Sequence, residues 1–211
     1  MSERIAVPLP KAYLLLNHGP TVLVSSAHGD KRNVMAAAWN MALDFDPPKV
    51  AVVIDKSTLT RELIEASGEF VLNVPAREQA AMTLAAGSES GRDSDKLARV
   101  MRSGIHSDGA HTATASRVGA PLIEGCLAWL ECRVIAWPGV QAAHDLFLAE
   151  VLAAQADARV FSAGRWHFDT APPALRTLHH LGGGSFVLPG DLVRSRLLPG
   201  LETTPAEIGR A

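Results

Sequence analysis

The sequence predicts a mainly β domain, a barrel or sandwich of short strands with helices inserted among them. Two observations predict this class. Apolar runs occur in strand-sized pieces separated by turn residues, and the strict strand-helix alternation of a doubly wound sheet is missing. Of the 211 residues, 47% are hydrophobic and 20% charged, so the chain can bury a core and is not disordered. We expect one domain over residues 1–188 and a peripheral arm over 189–211, where Pro and Gly occur without periodicity.

The expected elements follow from these runs in chain order. Residues 33–42 are apolar almost throughout, which leaves helix and buried strand undecided. Pro47 and Pro48 break the pattern because prolines remove backbone donors. A helix is expected after Thr58, where apolar residues recur at helical spacing before the stop signal Gly68. The other predicted elements are strands over 21–27, 49–54 and 69–74, helices over 76–86 and 94–102, and paired strands over 126–137 and 145–155 that are joined by a turn at Pro138-Gly139.

Charge and composition exclude several classes of protein. The net charge is −2 and no Lys/Arg run is present, so we expect no nucleic-acid binding. The first residues lack the pattern of a signal peptide, and the apolar stretches are too short to cross a membrane. Cys126 and Cys132 lie six positions apart on one predicted strand, roughly 20 Å, which is too far for a disulfide. The sequence therefore predicts a cytoplasmic protein with reduced core thiols and no membrane association.

Several familiar catalytic motifs are absent from the chain. It has no G-x-G-x-x-G after a strand, no phosphate-binding G-x-x-x-x-G-K-[ST] and no H-E-x-x-H. Residues 87–91 superficially match a nucleophile elbow, but Glu89 stands where serine is needed. His106 and His111 are five apart, and His179-His180 are adjacent, so neither pair has the spacing of metal ligands. We expect no metal site.

The strongest positive signal is the polar segment Lys56-Ser57-Thr58-Leu59-Thr60, which follows Asp55 at the entrance to the predicted helix. A helix N-terminus presents free backbone N–H groups and the positive end of its dipole. Hydroxyls at Ser57, Thr58 and Thr60, with Lys56 beside them, would cradle a phosphate monoester. The alternative is an ordinary Ser or Thr N-cap, which this segment alone favours.

A second polar cluster, Ser90-Gly91-Arg92-Asp93-Ser94-Asp95-Lys96, has the same character. Arg92 offers a planar fork to an anion and Lys96 offers a point charge. The alternative is a solvated loop with Ser94 as a helix cap. Both clusters belong to a chain that also has an Ala-rich segment before Trp39 and a buried-looking Asn73. Together they suggest a flat aromatic ligand with a phosphate tail.

The small side chains of Ala36, Ala37 and Ala38 would let a ring system lie against the backbone, where N–H groups could meet its polar edge. The alternative for these alanines is close strand packing in the core.

The order of these motifs resembles the flavin reductase-like, FMN-binding split-barrel family, in particular its flavoredoxin and ferric reductase branch. The resemblance covers roughly residues 15–155 and fades in the tail. It implies a Greek-key split β-barrel that forms a homodimer, with FMN bound noncovalently near the subunit interface. The matching segments are 21–25, 33–39, 46–48, 56–60, 67–75, 90–96, 130–132 and 144–151.

The resemblance also assigns roles to particular residues. It implies that the isoalloxazine ring lies against residues 35–39, and that Ser57, Thr60 and Lys96 hold the phosphate with Arg92 nearby. The complete cofactor-binding set is Asn33, Met35, Ala36, Ala37, Ala38, Trp39, Asp55, Lys56, Ser57, Thr58, Thr60, Asn73, Val74, Ser90, Gly91, Arg92 and Lys96.

His144 is the candidate catalytic residue. Many reductases of this family have Gly-Asp-His before the strand, with the histidine near the nicotinamide. This chain reads Ala142-Ala143-His144, which keeps the histidine but not the aspartate. His144 therefore either positions a nicotinamide or is an ordinary histidine at the start of a strand.

The expected function is an FMN-dependent oxidoreductase that accepts hydride from NAD(P)H and passes electrons to flavin, iron or a protein acceptor. One alternative is an FMN electron carrier that a partner protein reduces, in the manner of a flavoredoxin. A further alternative is a non-catalytic binding module that holds FMN without turnover.

Overall fold

The structure, a computed structural model, describes residues 3–92, 95–102 and 112–195. It is mainly β with inserted helices, which confirms the predicted fold class. The strands are β1 (Arg4–Ala6), β2 (Val22–His28), β3 (Lys31–Ala37), β4 (Asn40–Phe45), β5 (Pro48–Val53), β6 (Glu69–Val74), β7 (Thr112–Ala113), β8 (Leu122–Ile123), β9 (Ala128–Ile135), β10 (Leu146–Asp157), β11 (Phe161–Ser162), β12 (Arg165–Trp166), β13 (His179–Gly182) and β14 (Ser185–Val187). The helices are α1 (Leu59–Ser67), α2 (Ala80–Ser88), α3 (Lys96–Arg102) and α4 (Pro138–His144), with 3-10 helices at Leu9–Leu15, Arg77–Gln79 and Pro173–Leu175.

One large antiparallel sheet organises the molecule. Its strand order is β3-β2-β6-β9-β10-β5-β4, and β1 pairs with β10 beside this path. The two end strands, β3 and β4, are consecutive in the chain and are joined only by Ala38 and Trp39. The two end strands of the sheet therefore meet at the corner that these two residues form. Closure as a split barrel and the domain boundary at 188 stay predictions, and residues 196–211 of the predicted arm lie outside the described residues.

The segment left undecided between helix and strand, 33–42, contributes to two strands, β3 and β4, with a corner at Ala38–Trp39. The proline break that follows is a tight hairpin turn, because β4 continues to Phe45 and pairs there with Pro48 at the start of β5. The Asp46–Pro47 peptide bond in this turn is cis.

The predicted turn at Pro138-Gly139 is wrong, although β9 and β10 do pair antiparallel as expected. The connection is the helix α4, which has Pro138 in its first turn, a position where proline costs no hydrogen bond. The helix ends at Asp145, whose left-handed backbone lets its N–H donate to the Gln141 carbonyl. The predicted helix over 76–86 begins instead as a 3-10 turn and becomes α2 only at Ala80.

Apolar side chains fill both sides of the sheet. Trp129 is fully buried under α2 and α3, and its indole N–H donates to the Ile123 carbonyl at 2.8 Å. Cys126 and Cys132 are free and buried, as predicted, and burial raises the pKa of both thiols. None of the described helices has the length and apolar character needed to span a bilayer.

A small aromatic cluster surrounds His18 at the end of the first 3-10 helix. The imidazole packs edge-on against Trp166 and His179, with ring centroids 5.1 and 5.4 Å away, and its Nε2 lies 3.0 Å from Thr177 Oγ1. Burial, and then the charge of His179, lowers the pKa of His18 from 6.5 to about 4. Protonation of this ring therefore opposes folding.

The pKa shift predicts a pH-dependent stability. Between pH 6.5 and about 4 the unfolded chain binds a proton that the folded His18 does not, so stability falls as pH falls through that window. We expect wild type to lose about 2–3 kcal/mol more than His18→Gln between pH 7 and pH 4.5, measured by urea unfolding. Equal losses in the two proteins would contradict a buried neutral His18.

Candidate functional site

The N-terminus of α1 is closed by its own side chains. Thr58 is the N-cap: its hydroxyl accepts from the Arg61 N–H at 3.2 Å and donates to the Asp55 carbonyl at 2.8 Å. The Asp55 carboxylate accepts from the Ser57 hydroxyl at 2.6 Å and from its N–H at 2.7 Å, and these bonds lower the pKa of Asp55. The capping role is therefore present, whereas phosphate binding by these hydroxyls stays a prediction.

Thr60 and Asn33 join this turn to β3. The Asn33 amide nitrogen donates to Thr60 Oγ1 at 2.9 Å, and both side chains are buried. The amide oxygen of Asn33 is also buried and has no hydrogen-bond partner within the described part of the chain. A buried acceptor without a partner costs free energy, so a donor on a ligand would stabilise it.

The second polar cluster lies directly against the first. Arg92 donates to both carboxylate oxygens of Glu62, at 3.1 and 2.7 Å, and to the Ser57 carbonyl at 2.9 Å. A Cβ built on Gly91 would lie 2.8 Å from Cγ of Asn33, so only glycine allows this approach to β3. The Arg92 guanidinium therefore holds the second polar cluster against α1. Asp93 and Ser94 of the same cluster lie outside the described residues.

Lys96 is the most unusual residue of the cluster. Its side chain is 4% exposed, and burial lowers the pKa of its ammonium group. Within residues 3–92, 95–102 and 112–195 it forms no hydrogen bond or ion pair. An ion pair of 3.3 Å between Arg32 and Asp95 holds the start of α3 beside β3. The charge of Glu89 partly opposes the lowering of the Lys96 pKa, but no direct ion pair within the described residues offsets the burial, and an anionic ligand would do so.

The alanine segment lies on the edge strand β3, which pairs only with β2 in the described structure. Ala37 points into the core, Met35 packs against it, Ala36 is partly buried, and Ala38, just after the end of β3, is exposed. Trp39, at the corner, is 76% exposed. The outer edge of β3 therefore has no strand partner in the described structure, next to small side chains.

Asn73 and Val74 are completely buried in β6. The Asn73 amide donates to the Leu23 carbonyl at 2.9 Å and to Ser25 Oγ at 3.0 Å, and its oxygen accepts from the Ile123 N–H at 2.8 Å. These bonds hold β2 and β8 to β6. A contact of this amide with a ligand would have to replace them, and the flavin contact stays a prediction.

His144 is exposed at the last residue of α4. The next residue, Asp145, accepts from the Ile54 N–H at 2.8 Å through its carbonyl, which places His144 beside the β5–α1 connection. The chain thus brings the candidate catalytic residue to the same side of the fold as Ser57.

Arg61 is the structural residue that the sequence analysis missed. It is 7% exposed and donates to Asp145 Oδ1 at 2.5 Å, to Glu65 Oε1 at 2.7 Å and to the Gln141 carbonyl at 3.0 Å. Its guanidinium also lies over the Phe147 ring. The sequence signal for this role was an arginine on the same helix face as the apolar residues. An arginine that is buried there needs ion-pair or hydrogen-bond partners.

Within the described residues, the site therefore combines a buried lysine, an orphaned amide oxygen and an unpaired strand edge with small side chains. This arrangement fits a phosphorylated, flat, hydroxyl-bearing ligand, and FMN has each of these features. The fold and the site together define a mainly β domain with a candidate site for such a ligand.

Comparison with known proteins places the chain in one family. The profile of the flavin reductase like domain matches residues 15–175, and the chain belongs to this family. Protein YddH of Escherichia coli K12 is 47% identical over 196 residues, covering 92% of this chain and 98% of that protein.

Solved structures show the same fold. The FMN-binding domain of a flavin reductases-like enzyme from Shewanella baltica OS155 is 47% identical with a TM-score of 0.86, covering 92% of this chain and 98% of that one. Flavoredoxin from Methanosarcina acetivorans is 25% identical with a TM-score of 0.66, covering 86% and 90%. Flavoproteins of both kinds are thus similar to this chain.

Proposed function

We propose that this protein is an FMN-dependent oxidoreductase that accepts hydride from NAD(P)H on its flavin and passes electrons onward. The observation that carries the proposal is Lys96, a largely buried lysine beside the edge strand β3 that forms no ion pair within the described residues. FMN brings the matching dianionic phosphate and, when bound, supplies the redox chemistry.

Different residues of the chain bind different parts of FMN. Lys96 neutralises the phosphate, while Thr60 keeps Asn33 in place. The orphaned Asn33 oxygen accepts from a hydroxyl of the ribityl chain. The free edge of β3 and the small side chains of Ala36 and Ala38 receive the ring.

In this proposal, His144 acts in the reduction of the flavin by a nicotinamide. Its exposed imidazole, next to the β5–α1 connection, orients the nicotinamide, and no protein acid or base is needed for hydride transfer itself. The similarity to a flavin reductases-like enzyme supports this role.

The test uses FMN-loaded protein under anaerobic conditions. We expect NADH or NADPH to bleach the flavin absorbance within seconds, with transfer to free flavin or ferric iron when either is added. If FMN binds but neither nicotinamide bleaches it, the reductase assignment is wrong. A protein that takes up no FMN would overturn the whole proposal.

An electron carrier reduced by a partner protein is the second candidate. The carboxylate next to His144, on Asp145, is bound to Arg61 and is not available to a nicotinamide. The similarity to a flavoredoxin supports this role. Fast reduction by a ferredoxin-like donor together with slow bleaching by both nicotinamides would favour the carrier.

We also propose a homodimer that pairs the exposed apolar face around β4. Trp39, Met41, Leu43 and Phe45 alternate along this edge strand and are 47–76% exposed. Alternate residues of a strand share one face, and an apolar patch of this kind marks an interaction surface. The stripe continues from the alanine segment, so a second copy docked on it would lie next to the proposed FMN site.

Met41→Glu at the centre of this stripe is expected to give a monomer in light scattering coupled to gel filtration, because it places a charge in the interface. Trp137→Glu, at an equally exposed apolar residue just before α4, is the control and should stay dimeric. A wild-type protein that is monomeric at high micromolar concentration would disprove the dimer.

A further inference from the structure

A cavity of about 340 Å³ covers Ala36 of β3 and Ala38 just after this strand. Its floor is formed by Ala36 and Ala38, one wall by α2 and the other by the β13–β14 hairpin. A Cβ built on Gly87 would lie 3.4 Å from that of Ala36, so α2 approaches β3 closely at this point. The cavity is therefore a narrow space between a helix and a hairpin, with small side chains beneath it.

The hairpin is fixed at its base and at its tip. At the base, the Thr21 hydroxyl accepts from the His180 N–H at 3.0 Å, and the Thr21 N–H donates to the Leu178 carbonyl at 2.8 Å. At the tip, a Cβ on Gly184 would lie 3.2 Å from Leu84 of α2, so glycine permits the contact. The cavity wall is thus part of the folded structure.

One residue that lines this cavity carries a polar atom that the described residues leave unpaired. Thr83, on the cavity wall, is 1% exposed, and its hydroxyl oxygen has no hydrogen-bond partner among the residues that the structure describes. The other hydroxyls that line the cavity are occupied, since Thr21 bonds His180 and the Ser88 hydroxyl donates to the Leu84 carbonyl at 2.8 Å. A buried hydroxyl without a partner is unfavourable by about 1–3 kcal/mol, so its retention points to a ligand.

We propose that the cavity takes the isoalloxazine ring and that the Thr83 hydroxyl binds a polar atom on the ring's pyrimidine edge. The proposal rests on the FMN function above and adds to it a positioning residue on α2. The alanines on the floor have no polar side-chain atom to offer, whereas Thr83 has one at the cavity wall. The hydroxyl can donate to a ring carbonyl or accept from the ring N–H.

The experiment compares Thr83→Val, which keeps the shape of the side chain, with Thr83→Ser, which keeps the hydroxyl. Binding of FMN and of riboflavin is measured by calorimetry on the full chain without bound flavin. We expect Thr83→Val to weaken both ligands by about tenfold and Thr83→Ser to retain most of the affinity. Equal weakening of riboflavin shows that the contact is not with the phosphate, because riboflavin has none.

Two controls keep the result interpretable. Without flavin, Thr83→Val should unfold at the same temperature as wild type or higher, since it removes an unsatisfied hydroxyl. Thr170→Val, an exposed site, should leave binding unchanged. Unchanged affinity in Thr83→Val overturns this inference alone, and means that the hydroxyl meets only water. Wild-type protein that binds neither flavin overturns the proposed function instead.

Discussion

Lys96→Met is expected to weaken FMN binding by roughly 10- to 100-fold while leaving riboflavin binding within about twofold of wild type. A hydrogen bond to a charged group contributes about 1.5–3 kcal/mol, and each 1.4 kcal/mol is a factor of ten in affinity. The methionine keeps the length and apolar stem of the lysine, so the change removes mainly the charge. Binding is measured by flavin fluorescence quenching at moderate ionic strength.

The stability of the flavin-free protein distinguishes a binding role of Lys96 from a structural one. Burial already lowers the pKa of Lys96, so removing its charge should leave the stability of the flavin-free protein unchanged or slightly higher. Lys11→Met, an exposed lysine on the first 3-10 helix, is the matched control and should bind FMN like wild type. If FMN and riboflavin lose affinity together, or neither does, Lys96 does not hold the phosphate.

Arg61→Met is expected to destabilise the protein by about 2–3 kcal/mol in urea unfolding at pH 7. The substitution removes the guanidinium donor from the Asp145 carboxylate and from the carbonyl oxygens of Ile54 and Gln141, of which Gln141 keeps the Asp145 N–H. Removing one partner of a buried ion pair lowers the free energy of unfolding by about 3–5 kcal/mol. We expect a smaller loss here because Asp145 is partly exposed. The melting temperature should fall by about 5–10 °C for a chain of this length.

Arg61→Lys keeps the charge but not the planar fork, so its loss should be intermediate. Arg77→Met replaces an exposed arginine and is the control that should change stability by less than about 0.5 kcal/mol. A stable Arg61→Met protein would show that α1 and α4 are held together by apolar packing instead. His144 follows the same connection, so the variant also tests whether its placement depends on Arg61.

Local signals predicted the regular elements well. The helix α1 ends at Gly68, whose φ of 73° is the left-handed conformation that glycine adopts without strain. The strand β6 has the predicted bounds 69–74 because its apolar residues alternate up to a proline. The corner at Ala38–Trp39 was not predictable in this way, since the apolar run does not change in composition where the chain turns.

The site was predicted as segments and assembled only by the fold. Ser57 and Arg92 are 35 positions apart, and nothing in the sequence says that the guanidinium bonds the serine carbonyl. The sequence analysis treated Arg92 as a group for the ligand, whereas the structure bonds it to Glu62. Asn73 was proposed as a ligand contact because a polar residue in an apolar strand stands out, and its bonds within the core explain the same signal.

The sequence by itself determined the fold class, the family and the two polar segments, because strand periodicity, helix caps and motif order are properties of neighbouring residues. Only the tertiary structure decided which polar groups are satisfied and which are left over. Thr83 and Lys96 differ from other threonines and lysines only in what surrounds them once β3, α2 and α3 have packed together. Burial and partner geometry depend on residues far apart in the chain, and a single sequence does not specify those distances.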